Sequence, residues 1–297
     1  FGADILRLWA SNVDYVADVR ISESIITTIS DQYRKVRNTF KFMLGNLQDG
    51  ADKPYVVPEK APELYAVDKW ILAQFEDVKN SVLAAYDSFS FSKVQMILTN
   101  FMVDLSSFYL DMSKDIMYCE AADSPRRKAV QYVLYTLIHD LCLLFNPILC
   151  FTMDEVYSYL PGKKKASPQL DDMPKVSNVY AKEEREVYAK FKEIRTMVLK
   201  ALEDKRNEGV IGSSLEAELS LKVADKDLYA VLSCLDGYEL ARLFGVSEAT
   251  ISEGENSVIV ERETHEVCER CRMAKKETKE RVSGHHLCDR CAGAVNE

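Results

Sequence analysis

The chain has 297 residues, 47% of them apolar, and a formal net charge of −9 at pH 7. This length predicts about two domains with real hydrophobic cores, and no apolar run is long enough to span a bilayer, so we expect no membrane helix. The negative charge argues against a protein that coats nucleic acid indiscriminately, although it permits a local basic face that binds one structured RNA.

The first half of the chain carries four amphipathic patterns that predict helices. They run from Ile26 to Leu47, from Leu64 to Val82, from Val94 to Ile116 and from Val130 to Leu144. Long helices joined by short polar turns bury their apolar stripes by packing side by side. We therefore predict a mainly α protein with an antiparallel helix bundle over residues 25–162. Residues 1–24 are interpreted as a connector, and because the chain starts at Phe1 we expect a piece of a longer protein.

A basic stripe follows the first predicted helix. Arg34, Arg37 and Lys41 recur at helical spacing beside the apolar seam. Such a stripe is a solvated helix flank in most proteins and a phosphate-contacting surface in the others. These three residues are our candidates for RNA phosphate contact on the bundle.

The segment after the bundle changes its hydrophobic period. One more charged helix is predicted from Val187 to Leu202, and residues 215–223 alternate apolar with polar, as in a strand with one wet face. One or two short helices are predicted over residues 226–243, followed by a hairpin that turns at Gly254. We interpret residues 180–262 as a small α+β module.

Two CxxC pairs close the chain, within residues 263–297. Cys268 and Cys271 are separated from Cys288 and Cys291 by sixteen residues, a spacing typical of a structural zinc knuckle. Disulfides would need an oxidising compartment, and a redox CxxC would need a βαβ unit that the sequence does not predict. We predict one structural Zn²⁺, held by the four thiolates in a closed site that does no Lewis-acid chemistry.

Other residues near or outside this motif have less specific interpretations. His265, His285 and His286 lie close enough in sequence to replace a thiolate, but four thiols already fill a tetrahedral site, so their contact with the metal stays open. The remaining cysteines are expected to be small buried apolar residues in a reducing cytoplasm: Cys119, Cys142, Cys150 and Cys234. No glycine-rich phosphate loop or nucleophile triad stands out, so the chain is typical of a binding unit without an active site.

Five segments stand out, in this order along the chain: FGADILRLWASNVDY, YRKVRNTFKFMLGNL, DLSSFYLDMSKDIMYCE, NPILCFTMDEVYSYLPG and IGSSLEAELSL. They resemble segments of the isoleucyl, valyl and leucyl group of class I aminoacyl-tRNA synthetases. The terminal cysteine pairs are similar to those of the bacterial isoleucyl family, which typical valyl and leucyl enzymes lack. DMSKD at residues 111–115 only echoes the KMSKS loop of these enzymes, because its methionine belongs to a helical apolar stripe.

The resemblance implies a C-terminal portion that binds the anticodon stem and loop of tRNA(Ile). The parent enzyme would be a cytoplasmic, monomeric ligase that joins isoleucine to tRNA with ATP, its catalytic domain acting in cis. This portion lacks the HIGH motif, the KMSKS loop and the editing domain, and is expected to be inactive alone. Further phosphate-contact candidates lie in the zinc module: Arg270, Arg272, Lys275, Lys276, Lys279, Arg281 and Arg290. The alternatives are a valyl- or leucyl-type fragment and a zinc-containing scaffold that binds a protein partner.

Overall fold

The computed structural model describes residues 1–48, 53–177 and 182–296. The chain forms two compact units, one of Phe1–Asp111 with Lys128–Ala181, the other of Met112–Arg127 with Lys182–Glu297. The start that we expected for the α+β module, residue 180, lies outside the described residues.

Helices make up the first unit. In chain order they are α1 (Ala3–Asn12), α2 (Glu23–Gly45), α3 (Ala66–Asp87), α4 (Phe91–Leu105), α5 (Asp111–Cys119), α6 (Pro125–Phe145) and α7 (Cys150–Tyr159), of which α5 beyond its first residue and the start of α6 belong to the second unit. Within the first unit, α1 packs on α2, α4 and α7, and α3 packs on α4. The predicted helix bundle is confirmed.

The helices of this unit begin and pack for local reasons. Ser22 caps α2 by accepting a hydrogen bond from the Ile25 amide, and the apolar residues of the predicted seam, such as Val36 and Phe40, are buried. Asp68 accepts from the Tyr65 amide at the start of α3 and from the buried Tyr109 hydroxyl at 2.6 Å. This carboxylate therefore caps one helix and fixes the helical segment that follows α4.

The third predicted helix is interrupted by a π-helical turn at Ser106–Leu110, between α4 and α5. A π-turn adds one residue to the helical repeat and so rotates the faces of the residues that follow. Phe108, Tyr109 and Leu110 are consequently all buried in succession, which an uninterrupted α-helical stripe would not allow.

Among the described residues, α6 is the one helix long and apolar enough to cross a membrane by length and composition. However, 67% of its apolar window is buried inside the protein. Leu134, Leu137 and Leu141 have no exposed surface. This helix is therefore a core helix of the bundle.

The second unit combines further helices with two small sheets. Its elements are α8 (Lys182–Asn207), β1 (Ala217–Val223), α9 (Lys226–Ser233), α10 (Gly237–Phe244), β2 (Glu248–Glu253), β3 (Ser257–Arg262), β4 (Lys279–Glu280), β5 (His286–Leu287) and α11 (Asp289–Ala294). The alternation predicted for β1 is confirmed, because Ala217, Leu219, Leu221 and Val223 are all buried.

The predicted hairpin between β2 and β3 is wrong. The strand order is β2-β1-β3, with β2 parallel and β3 antiparallel to β1. Residues 254–256 cross the end of β1, where the Gly254 amide donates to the Val223 carbonyl and Asn256 accepts from the Ala224 amide. A connection of this length spans about 10 Å, which equals two strand spacings. The most apolar strand thereby receives a hydrogen-bonded neighbour on each edge.

Candidate functional site

The first cysteine pair lies on a tight turn in the segment that follows β3. The Cys268 amide donates to the Met273 carbonyl at 2.9 Å, and the Arg272 amide donates to the Cys268 carbonyl at 2.9 Å. Arg272 has a φ of 64°, in the left-handed region that the turn requires and that glycine adopts at least cost. The turn directs both thiols to the same side.

The second pair follows the β4–β5 hairpin. Lys279 pairs with Leu287 and Glu280 with His286, and Cys288 then precedes α11, which carries Cys291 in its first turn. The Glu269 amide donates to the His286 carbonyl at 2.9 Å, which ties the first turn to the hairpin. Backbone hydrogen bonds within this segment therefore position all four thiols.

These four thiols form a group able to hold one metal ion. Their sulfur atoms all lie within 4.8 Å of one another, all four cysteines are buried, and Cys271 Sγ lies 3.9 Å from Cys288 Sγ. A tetrahedral centre with metal–sulfur bonds of about 2.3 Å separates its sulfurs by about 3.8 Å. The donor set and its spacing therefore fit a closed four-thiolate centre.

The three nearby histidines contact carboxylates. The Nδ1 atoms of His265 and His285 each lie 2.7 Å from a glutamate oxygen, of Glu263 and Glu269 respectively, and His286 Nδ1 lies 2.5 Å from Glu266. The metal-holding group found among the described residues consists of cysteines alone. The geometry thus supports the four thiols as the complete ligand set.

A fifth cysteine lies beside this centre. Cys119, at the end of α5, is 5% exposed and belongs to the same buried cluster as the four thiols. Sequence reasoning treated it as an ordinary core residue, and no local spacing signal distinguishes it. Cys142 is buried as expected, whereas Cys150 is half-buried and Cys234 is exposed, so the expectation of burial is wrong for Cys234.

Charged residues join α5, α10 and α11 within the second unit. Arg290, next to Cys291 of the four-thiol group, donates two hydrogen bonds to Asp115, of 2.5 and 2.8 Å. Arg242 donates to the same carboxylate at 2.6 Å and pairs with Glu120 and Glu239. Burial favours the neutral form of Asp115, but the hydrogen bonds and positive charges of Arg290 and Arg242 outweigh it and hold the Asp115 pKa below its usual range.

The Tyr238 ring lies beside two of the predicted phosphate-contact residues. Lys275 Nζ lies 4.4 Å from the ring centroid and the Arg290 guanidinium lies 4.6 Å from it. Lys275 is 3% exposed and pairs with Glu248 at 3.0 Å. Both cations therefore stabilise the segment that carries the four cysteines, residues 263–296, which we call the cysteine module.

The other candidates of the module fall into two groups. Arg281 is mostly covered and pairs with Asp289, and Arg270 is half-buried and donates to the Tyr118 carbonyl. Arg272, Lys276 and Lys279 are exposed. The structure thus leaves these last three with side chains accessible to a large ligand, and sequence spacing alone did not separate the two groups.

The basic stripe of α2 is also accessible. Arg34 is exposed and pairs with Asp31 one turn earlier, while Arg37 and Lys41 line an open groove of about 530 Å³ between α2 and α7. An exposed pair such as Arg34–Asp31 adds little stability, about 0–1 kcal/mol. The three predicted residues therefore occupy one solvent-facing side of α2.

Residues 68–222 match the model of a family described as the anticodon-binding domain of tRNA ligase, and this match covers more than half of the chain. The chain belongs to this family. The match to the anticodon-binding family begins in α3 and continues into β1, so it includes parts of both compact units.

Curated relatives are similar over the whole chain. An isoleucine–tRNA ligase of Bacillus mycoides (strain KBAB4) is 42% identical over 310 residues, covering 100% of this chain and 33% of the relative. An isoleucine–tRNA ligase of Geobacillus kaustophilus (strain HTA426) is 44% identical over 316 residues, covering 100% of this chain and 34% of the relative. The chain therefore spans about a third of the length of the curated relatives it matches.

Proposed function

We propose that the chain is the tRNA-binding portion of an isoleucine–tRNA ligase and binds the anticodon stem and loop of tRNA(Ile). The observation that supports this proposal most directly is the match of residues 68–222 to the anticodon-binding family. Relatives named isoleucine–tRNA ligase, at 42% and 44% identity over the whole chain, support the choice of amino acid over valine or leucine.

The chain's part in the reaction is to bind and orient the RNA. In the whole enzyme, isoleucine is joined to tRNA at the expense of ATP in a catalytic domain acting in cis, in a cytoplasmic monomer. Exposed cations on α2 and on the cysteine module contact RNA phosphates, which supplies affinity and register. Unstacked bases of the loop supply discrimination, because their edges are accessible to side chains.

The metal of the four-cysteine centre is Zn²⁺ in this proposal. Four thiolates in a tetrahedral arrangement favour zinc, which gives the site structural bonds and no open position for chemistry. Residues 263–296 contribute few apolar side chains, so metal binding supplies most of the free energy that folds them. The metal acts on RNA binding indirectly, by holding Arg272, Lys276 and Lys279 in fixed positions.

The test is a titration of the 297-residue chain with a tRNA(Ile) transcript and with a copy whose anticodon is exchanged. We expect tighter binding of the first RNA, and an affinity that falls steeply with salt by about 0.7–0.9 log units per phosphate contact for each log unit of salt. Equal binding of the two RNAs would reject the tRNA identity. Salt-insensitive or absent RNA binding would favour the protein-interaction scaffold.

A further inference from the structure

The groove between α2 and α7 has two chemically different walls. Its floor is apolar and includes Phe40, Leu44 and Val156. Arg37 and Lys41 stand on the α2 wall, one helical turn apart, and both are exposed. This wall presents two positive charges above an apolar floor.

The α7 wall carries an exposed aromatic ring beside a carboxylate. Tyr159 is 70% exposed at the last residue of α7, and Glu155 lies one turn before it on the same wall. An accessible aromatic ring facing lysine and arginine is typical of surfaces that bind single-stranded nucleic acid, because a base stacks on the ring while the cations meet the phosphates.

We propose that this groove binds one unpaired nucleotide of the RNA, with its base stacked on Tyr159 and its phosphate against Arg37 and Lys41. The orientation follows from charge: both cations are on α2, and the Glu155 carboxylate repels phosphate from the α7 wall while offering acceptors to the base. This inference rests on the proposed function, because it takes RNA as the ligand.

The size and polarity of the groove agree with this occupant. A volume of about 530 Å³ lies within the range of about 300–1,000 Å³ typical of small-ligand sites. An apolar ligand would cover the floor but would bring no negative charge to Arg37 and Lys41. A nucleotide satisfies both the apolar floor and the cations with one residue.

The first experiment measures binding of an anticodon stem-loop RNA to the chain and to Tyr159→Ala and Tyr159→Phe. We expect Tyr159→Ala to weaken binding about 5- to 150-fold, the usual loss when one stacking ring is removed, and Tyr159→Phe to bind like the unmodified chain. The matched control is Tyr15→Ala, which removes another ring of the first unit, 66% exposed and outside the groove. Circular dichroism checks that each variant keeps its helices.

The second experiment identifies the nucleotide. Abasic substitutions are placed one at a time in the RNA loop, and each is measured with the unmodified chain and with Tyr159→Ala. One position is expected to lose affinity with the unmodified chain but not with Tyr159→Ala, because the stacking partner is already gone. Lys41→Gln should lower the salt slope of binding by about 0.7–0.9, the value of one phosphate contact.

The two proposals fail in distinguishable ways. If the chain binds and discriminates tRNA(Ile) while Tyr159→Ala binds every RNA like the unmodified chain, the groove is not a nucleotide site and the proposed function stands. If abasic losses simply add to the Tyr159→Ala loss at every position, the stacking assignment is wrong. If the unmodified chain binds no RNA, both proposals are rejected.

Discussion

Replacing Asp115 by Asn should lower the free energy of unfolding of the cysteine module. Asp115 is the common partner of Arg290 and Arg242, and its side chain is only 15% exposed. Removing one partner of a buried ion pair usually costs about 3–5 kcal/mol, because it leaves a buried charge uncompensated. Asn keeps one acceptor oxygen, so we expect the lower end, about 3 kcal/mol.

A matched surface pair provides the control. Asp289 pairs with Arg281 at 2.6 Å in the same module, but its side chain is 64% exposed. Exposed pairs contribute about 0–1 kcal/mol, because water and salt screen them. Asp289→Asn therefore makes the same chemical change as Asp115→Asn and should have little effect, because Asp289 is exposed and pairs with one arginine, whereas Asp115 is mostly buried and pairs with two.

Hydrogen exchange measured by mass spectrometry is the suitable assay, because Trp9 and Trp70 both lie in the first unit and tryptophan fluorescence does not report on the module. The amides of Cys268 and Ala292 are hydrogen-bonded inside the module. A loss of about 3 kcal/mol should speed their exchange roughly 150-fold in Asp115→Asn. Equal exchange in the two variants would refute the argument that burial of this ion pair holds the module.

Three further predictions concern the same module. Because folding lowers the pKa of Asp115, its contribution to stability is present above the unfolded pKa of about 4 and is lost as pH falls through the folded pKa. Urea titrations should show that the difference in stability between the unmodified chain and Asp115→Asn shrinks below about pH 4. A constant difference would contradict this prediction. Cys288→Ser should lower the metal content measured by atomic absorption and speed hydrogen exchange in residues 263–296, while the far-ultraviolet dichroism signal of the helix bundle is unchanged. Full metal content would reject the ligand assignment. Arg272→Gly should stabilise the module by about 1 kcal/mol, because glycine adopts a positive φ without the cost paid by arginine, and should weaken RNA binding; a lower urea midpoint for metal release would show that the Arg272 side chain contributes more stability than its backbone costs.

Local patterns in the sequence were enough to predict the helix bundle and the strand β1. The buried face of a helix recurs about every 3.6 residues and that of a strand every second residue. The apolar residues of α2 follow the first period and those of Ala217–Val223 the second. The four cysteines were predictable for the same reason, since ligands on two short turns are close in sequence to the atoms that position them.

Features that depend on distant segments were not predictable. The β2–β3 hairpin was a reasonable expectation from the turn at Gly254, but pairing is decided by which strand lies alongside, and β1 takes both positions. Cys119 lies beside the four-thiol group although about 150 residues separate it from Cys268. Lys275 and Arg272 differ in their accessibility to a ligand, because the Lys275 side chain is packed against Tyr238 whereas the Arg272 side chain is exposed.

The sequence by itself determined the helical segments of α2 to α6, which four cysteines form a group able to hold one metal ion, and which residues carry positive charge. Only the tertiary structure decided which of those charges are exposed, that Arg290 holds Asp115, and that Tyr159 of α7 faces the groove lined by Lys41 of α2. The reason is physical: hydrophobic period and ligand spacing are properties of neighbouring residues, whereas burial and charge pairing depend on segments that the chain brings together only when it folds.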